Sequence, residues 1–113
     1  MNIVIIGTGY VGLVTGVGLA SIGNKVTFVD LDTDKIQKLN NKNLPFYEPG
    51  LLEYFEDDQT FHRMEFVSSY SDVNWDEKEI VFICVQTPNN FETNSVDTKF
   101  LESAINEVNN LDN

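Results

Sequence analysis

The chain has 113 residues, 42% of them hydrophobic, which suffices for one domain whose core hides roughly 60–70% of the unfolded surface. A formal net charge of −11 excludes nucleic acid and anionic membranes as partners, since both bind through a positive face. No run approaches the ~20 apolar residues needed to cross a bilayer, no cationic leader precedes an apolar stretch, and Cys84 is the only cysteine; the expectation is a cytoplasmic protein without disulfides.

The charge is unevenly spread. Residues 1–45 hold Lys25, Lys35, Lys38 and Lys42 against Asp30, Asp32 and Asp34, a net of +1, so the remainder of the chain holds −12. Acidity therefore lies outside the first forty-five residues and does not oppose an anion bound there.

In chain order, Asn2 to Ile6 ends in a continuous β-branched run, Ile3-Val4-Ile5-Ile6, the pattern of a parallel strand covered on both faces. From Tyr10 to Ile22 the spacing becomes helical, with Val11, Val14, Leu19 and Ile22 apolar and Gly23-Asn24 as a stop. Lys25 to Val29 is a second strand ending at Asp30, and Asp32 or Thr33 can cap a helix with Ile36 and Leu39 on one side. Beyond Pro45, Pro49 suits a first helical turn, and Leu51, Leu52 and Phe55 form a short amphipathic helix. Glu65 to Val67 is a short strand.

Ile80 to Val85 is again continuously apolar and reads as another central strand, halted by the turn chemistry of Thr87-Pro88-Asn89-Asn90. Leu101, Ala104, Ile105 and Val108 recur at helical spacing on a closing helix that Asp97 can cap. Strands alternating with helices predict an α/β parallel sheet with right-handed crossovers.

The chemistry concentrates at Gly7-Thr8-Gly9-Tyr10-Val11-Gly12, a G-x-G-x-x-G between a buried strand and a helix start. In that setting Gly7 permits a tight turn, Gly9 lets a pyrophosphate approach the backbone, and Gly12 seats the helix close to the strand. The unpaired N–H groups and positive dipole end of the helix then receive phosphates. The fold expected is a Rossmann-type doubly wound sheet, incomplete, with strand order 3-2-1-4. The stripe Gly12, Gly16, Ala20 is read as a packing feature, because glycines inside a helix each cost about 1 kcal/mol relative to alanine and need such a reason.

Asp30 closes the second strand eighteen residues after Gly12, where a carboxylate can accept from both adenosine ribose hydroxyls. This selects NAD: a 2′-phosphate ~4 Å away would be repelled by roughly 1–4 kcal/mol per charge pair, and no arginine follows in Leu31-Asp32-Thr33-Asp34. Lys35 falls near the same ribose, although an ordinary surface lysine would look identical.

Other residues carry less. Cys84 inside a strand reads as a small hydrophobe with a raised pKa and little nucleophilicity. His62, beside Phe61 and Arg63, reads as a loop residue. Glu56-Asp57-Asp58 lacks the alternation of a calcium loop and reads as a solvated helix end, so no metal is expected.

Three segments together resemble the UDP-glucose/GDP-mannose dehydrogenases: Gly7 to Leu13, Pro45-Phe46-Tyr47-Glu48-Pro49-Gly50-Leu51, and Val81 to Pro88. The second is the specific one, since a generic dinucleotide-binding domain has no reason to contain Tyr-Glu-Pro-Gly-Leu. The resemblance implies that residues 1–113 are an NAD-binding Rossmann domain without the central and C-terminal substrate and catalytic domains. It implies cofactor contacts from Gly7, Gly9, Tyr10, Val11 and Gly12 at the turn, from Asp30 and Lys35 at the ribose, and from Thr87 after the fourth strand. Tyr47 to Gly50 would help shape the crevice.

Family members oxidise the C6 alcohol of a nucleotide sugar to a carboxylate in two NAD-dependent steps through a cysteine, with lysine, asparagine and aspartate assisting; no catalytic residue is expected in this chain. UDP-glucose is preferred over GDP-mannose or a UDP-N-acetylhexosamine, bound through the missing half, with a homodimer expected for the full-length enzyme. Asn89 to Asp97 departs from the short glycine-containing turn common in the family. A sheet ending at the fourth strand predicts an apolar edge, and with it association or marginal stability. The alternative reading is a stand-alone NAD-sensing module.

Overall fold

The computed structural model describes residues 1–85, 89–90, 95–96 and 99–109. Four strands, β1 (Asn2–Ile6), β2 (Lys25–Val29), β3 (Met64–Val67) and β4 (Ile80–Ile83), form one parallel sheet in the order β3-β2-β1-β4. This is the expected α/β Rossmann-type arrangement. Helices α1 (Tyr10–Ser21), α2 (Thr33–Asn40), α3 (Leu51–Glu56), α4 (Asp58–His62) and α5 (Lys99–Asn109) connect and cover the strands.

Period-two side-chain alternation splits the core into two layers. Ile3, Ile5, Val26 and Phe28 face the layer that holds Leu13 and Val17 of α1, Ile36 and Leu39 of α2, and Phe55 of α3. Val4, Ile6 and Val29 face the other, with Val73 and Ala104. Both layers are predominantly apolar, which is why β1 reads as a continuous apolar run, while β2 carries one buried polar residue, Thr27. In the first layer Phe28 and Phe66 stack with centroids 4.7 Å apart at 14°, and Phe55 joins Phe66 at 5.8 Å.

Helix α1 buries the expected stripe of small residues, Gly12, Gly16 and Ala20, but not all of the apolar residues that its spacing singled out. Val11 and Ile22 are exposed, whereas Gly12, Leu13, Gly16, Val17 and Ala20 are buried. Large apolar residues occur nearly all round this helix, so spacing alone cannot choose its inner face. Small residues do: a Cβ on Gly16 would run into the Phe28 ring. The Arg63 guanidinium donates to Ala20 O at 3.0 Å, placing a cation where the helix dipole favours it.

Three further local differences have local causes. Pro49 precedes α3 rather than entering it: Leu51 N–H donates to Glu48 O at 3.1 Å and Gly50 has φ +84°, a turn with Pro49 and Gly50 at its centre that suits the type II geometry. Asp57, exposed at the end of α3 as expected, also opens the next helix. Its carboxylate accepts from Thr60 N–H and Oγ1 at 3.2 and 2.6 Å, starting α4, whose last residue is His62 rather than a loop. Asn89–Asn90, read as turn, pair antiparallel with Ser95–Val96 as β5 and β6. The cap expected at Asp97 lies outside the described residues.

β4 was expected to be a central strand and is shorter, ending at Ile83. Among the described residues it pairs only with β1, and no residue in it is fully buried. Between β3 and β4 the chain makes two short 3-10 turns, Tyr70–Asp72 and Trp75–Glu77, absent from the expectation because three-residue turns have no periodicity to detect. No helix among the described residues is long and apolar enough to cross a membrane.

Candidate functional site

Parallel strands bring their carboxyl ends, and the loops that follow, to one edge of the sheet. There the chain leaves β1 through Gly7, whose N–H donates to Val29 O at 2.7 Å and whose φ is +99°. A Cβ on Gly7 would stand 2.6 Å from Cys84 O, so both the backbone conformation and the space demand glycine. On Gly12 a Cβ would collide with Gly7 O, which fixes the close seating of α1 on the turn.

Gly9 is the N-cap of α1, with no side-chain cap and no acidic residue in the first turn, so the leading N–H groups and the positive dipole end are not taken by the helix's own side chains. Among the described residues, apart from Gly9 and its chain neighbours, no atom lies within 4 Å of where a Gly9 Cβ would be. The open space and the uncapped helix end suit a pyrophosphate.

Thr8, between these glycines, is fully buried. Its Oγ1 donates to Asp30 Oδ2 at 2.6 Å and its N–H to the same oxygen at 3.0 Å. Asp30 Oδ1 accepts from Asp32 N–H at 3.0 Å, and Lys35 Nζ lies 3.6 Å from Oδ2. Burial works against ionisation of Asp30, but the Thr8 hydroxyl, the Asp32 and Thr8 N–H groups and the Lys35 charge outweigh it and hold the carboxyl below its usual range. Asp32 also caps α2 by accepting from Lys35 N–H at 3.2 Å, which orients the helix carrying Lys35.

These groups line a crevice of about 340 Å3. Gly7, Gly9, Asp30 and Lys35 all reach it. Tyr10 and Val11 do not: both are exposed on the first turn of α1, and Tyr10 packs on Phe46 at 5.4 Å. Hydrogen bonding to Glu48 and the nearby Glu48 charge raise the Tyr10 pKa, so the Tyr-Glu-Pro-Gly segment is joined to the start of α1 through this phenol. Gly12 is buried under the turn, and Thr87 lies outside the described residues.

Among the lining residues that sequence reasoning did not assign to the site are Thr8, Tyr70, Ser103 and Ala104. Only Thr8 carried a signal, as a small hydroxyl residue inside the glycine turn. Cys84 also lines the crevice, half-buried, with its thiol pKa pushed up by burial. That keeps it a protonated thiol at neutral pH. His62 is exposed on α4, and no group of three His, Cys, Asp or Glu among the described residues could hold a metal.

The model of the UDP-glucose/GDP-mannose dehydrogenase family, NAD binding domain, matches residues 1–112. The chain belongs to this family. NAD is therefore the cofactor of the domain, and the donor set is consistent with it: an uncapped helix end, a glycine with open space beside it, and an ionised carboxylate at the end of β2.

Among similar proteins, the UDP-glucose 6-dehydrogenase YwqF of Bacillus subtilis is 46% identical over 88 residues, 78% of this chain and 20% of that protein. The UDP-glucose 6-dehydrogenase of Rickettsia felis is 41% identical over 108 residues, 96% of this chain and 24% of its own length. The solved ternary complex of GDP-mannose dehydrogenase from Pseudomonas aeruginosa superposes with a TM-score of 0.86 at 30% identity, covering 96% of this chain and 24% of that one. The chain thus spans about a fifth to a quarter of the length of these relatives.

Proposed function

We propose that this chain is the cofactor-binding part of an enzyme that oxidises UDP-glucose to UDP-glucuronate with two equivalents of NAD. The carrying observation is the pairing of Asp30 with the glycine turn through Thr8, which presents a fixed anion beside an uncapped helix end. The UDP-glucose preference is supported by relatives that bear that name at 39–46% identity.

Bound NAD supplies a nicotinamide that accepts hydride; this chain's residues bind and orient. The first turn of α1 receives the pyrophosphate through its N–H groups, with Gly9 leaving the approach open. Thr8 occupies Asp30 Oδ2, so Oδ1, with a lone pair beyond the one Asp32 uses, accepts from a ribose hydroxyl. Lys35 donates to the neighbouring ribose oxygen and keeps Asp30 ionised. Tyr10 and Val11, whose side chains lie outside the crevice, meet the cofactor through the N–H groups of the first turn of α1. The sugar pocket and the reactive cysteine belong to a part of the enzyme beyond these residues, which acts as a homodimer. Cys84 takes no part in the chemistry.

The test is nicotinamide reduction by the protein carrying this chain, supplied with NAD and in turn UDP-glucose, GDP-mannose or UDP-N-acetylmannosamine. Two NADH per UDP-glucose, with little from the others, is expected. Turnover with another sugar alone would overturn the substrate assignment, and turnover with none would overturn the dehydrogenase.

A further inference from the structure

The crevice has a wall that no residue of the dinucleotide motif supplies. Besides Asp30 and Lys35 it is lined by Tyr70, from the turn after β3, and by Ser103 and Ala104 of α5. Tyr70 is held in place: Trp75 Nε1 donates to Tyr70 O at 2.9 Å, and the two rings lie side by side, 6.5 Å between centroids and 17° from parallel. The Tyr70 ring also packs against the second core layer. Burial, then Glu107 and Asp30, raise its pKa, so it stays a neutral phenol.

A dinucleotide with its pyrophosphate at α1 and its ribose at Asp30 must carry its base into the remaining part of this crevice. A purine has an apolar face and no charge, and besides Asp30, Asp32 and Lys35 the described lining offers an anchored aromatic ring, the small Ala104 and no further charged group. We propose that Tyr70 is a cofactor-binding residue that packs against the adenine of NAD, with Trp75 as its support. This rests on the assignment of Asp30 to the adenosine ribose. Base–aromatic packing of this kind is worth roughly five- to a hundredfold in affinity per contact.

The test is calorimetric titration of the protein with NAD and with ADP-ribose, which keeps the adenine half and lacks nicotinamide, using Tyr70→Leu, Tyr70→Phe and Asp30→Ala. Tyr70→Leu should weaken both ligands by the same factor, about tenfold, while Tyr70→Phe stays near the parent. Trp75 is the single tryptophan of these 113 residues, so in this chain its emission should change as either ligand saturates. Tyr70→Leu binding within about twofold of the parent, while Asp30→Ala weakens binding, would overturn the role of Tyr70 and leave the ribose site standing. If Tyr70→Leu does not fold, Trp75 emission unchanged at calorimetric saturation of the parent overturns it instead. Loss of Tyr70→Leu affinity with Asp30→Ala unaffected would keep the base contact and refute the ribose assignment; no binding by the parent would refute both.

Discussion

The Thr8 hydroxyl donates a 2.6 Å hydrogen bond to Asp30 Oδ2, joining the glycine turn after β1 to the end of β2. Both partners are largely removed from water, Thr8 fully and the Asp30 side chain at 17% exposure. The bond therefore sets the position of the carboxylate that lines the crevice as well as contributing to the fold. Thr8→Val keeps the shape and deletes the donor, so it should lower stability by about 1–3 kcal/mol by leaving a carboxylate oxygen short of a partner. It should also weaken NAD binding. Urea denaturation paired with calorimetry checks both.

The depressed Asp30 pKa gives a pH prediction with a definite sign. A carboxyl whose folded pKa lies below its unfolded value, about 3.9, contributes stability that is fully present above that value and is lost as pH falls through the folded pKa. The stability difference between the parent and Asp30→Asn should thus be constant from neutrality down to about pH 5 and shrink below about pH 4. Denaturation midpoints of both proteins across that range measure it; a difference that grows on acidification would contradict the account.

Gly7 and Gly9 should separate fold from cofactor. Gly7→Ala places a Cβ at φ +99° against Cys84 O and should lower stability by at least about 1–3 kcal/mol. Gly9 has φ −73° and nothing within 4 Å of a Cβ, so Gly9→Val should leave the melting temperature nearly unchanged. It should still reduce NAD affinity, since the side chain occupies the space the pyrophosphate needs. Thermal scanning and NAD titration of the two variants give opposite patterns if this is right.

Phe28 is the side chain around which the first core layer closes, stacked on Phe66 and lying where Gly16 lets α1 approach. Phe28→Ala should cost about 3–5 kcal/mol, read from denaturant unfolding. Gly16→Ala should also destabilise, because the Phe28 ring has no room to yield to the added methyl without disturbing that stack.

The sheet was legible from sequence because β1 and β4 are continuous apolar runs, β2 is rich in β-branched and aromatic residues, and G-x-G-x-x-G marks the crossing from strand to helix. Strand order and parallel pairing followed from that alternation. Of the buried face of α1 only the small-residue stripe was legible: among the large apolar residues Val11, Val14, Leu19 and Ile22 compete with Leu13 and Val17, and the choice is made by how closely Gly12 and Gly16 let the helix approach. Helix α4 was hidden because Asp57, Thr60 and His62 are weak helix formers, and the cap on Thr60 supplies what propensity does not. At the site, Gly7, Gly9, Asp30 and Lys35 could be placed because the motif fixes their spacing from the strands. Tyr70 and Ala104 could not: they come from distant parts of the chain, and only the packing of the second layer brings them to the crevice.

The central claim is that the crevice between the glycine turn and Asp30 binds NAD in preference to NADP. Calorimetric titration of the protein with each dinucleotide, repeated on Asp30→Ala, tests it most directly. The account predicts that NAD binds, that NADP binds more weakly because its 2′-phosphate meets the Asp30 carboxylate, and that Asp30→Ala loses NAD affinity and narrows the gap between the two. Equal binding of NAD and NADP, or NAD affinity indifferent to the loss of Asp30, would contradict it.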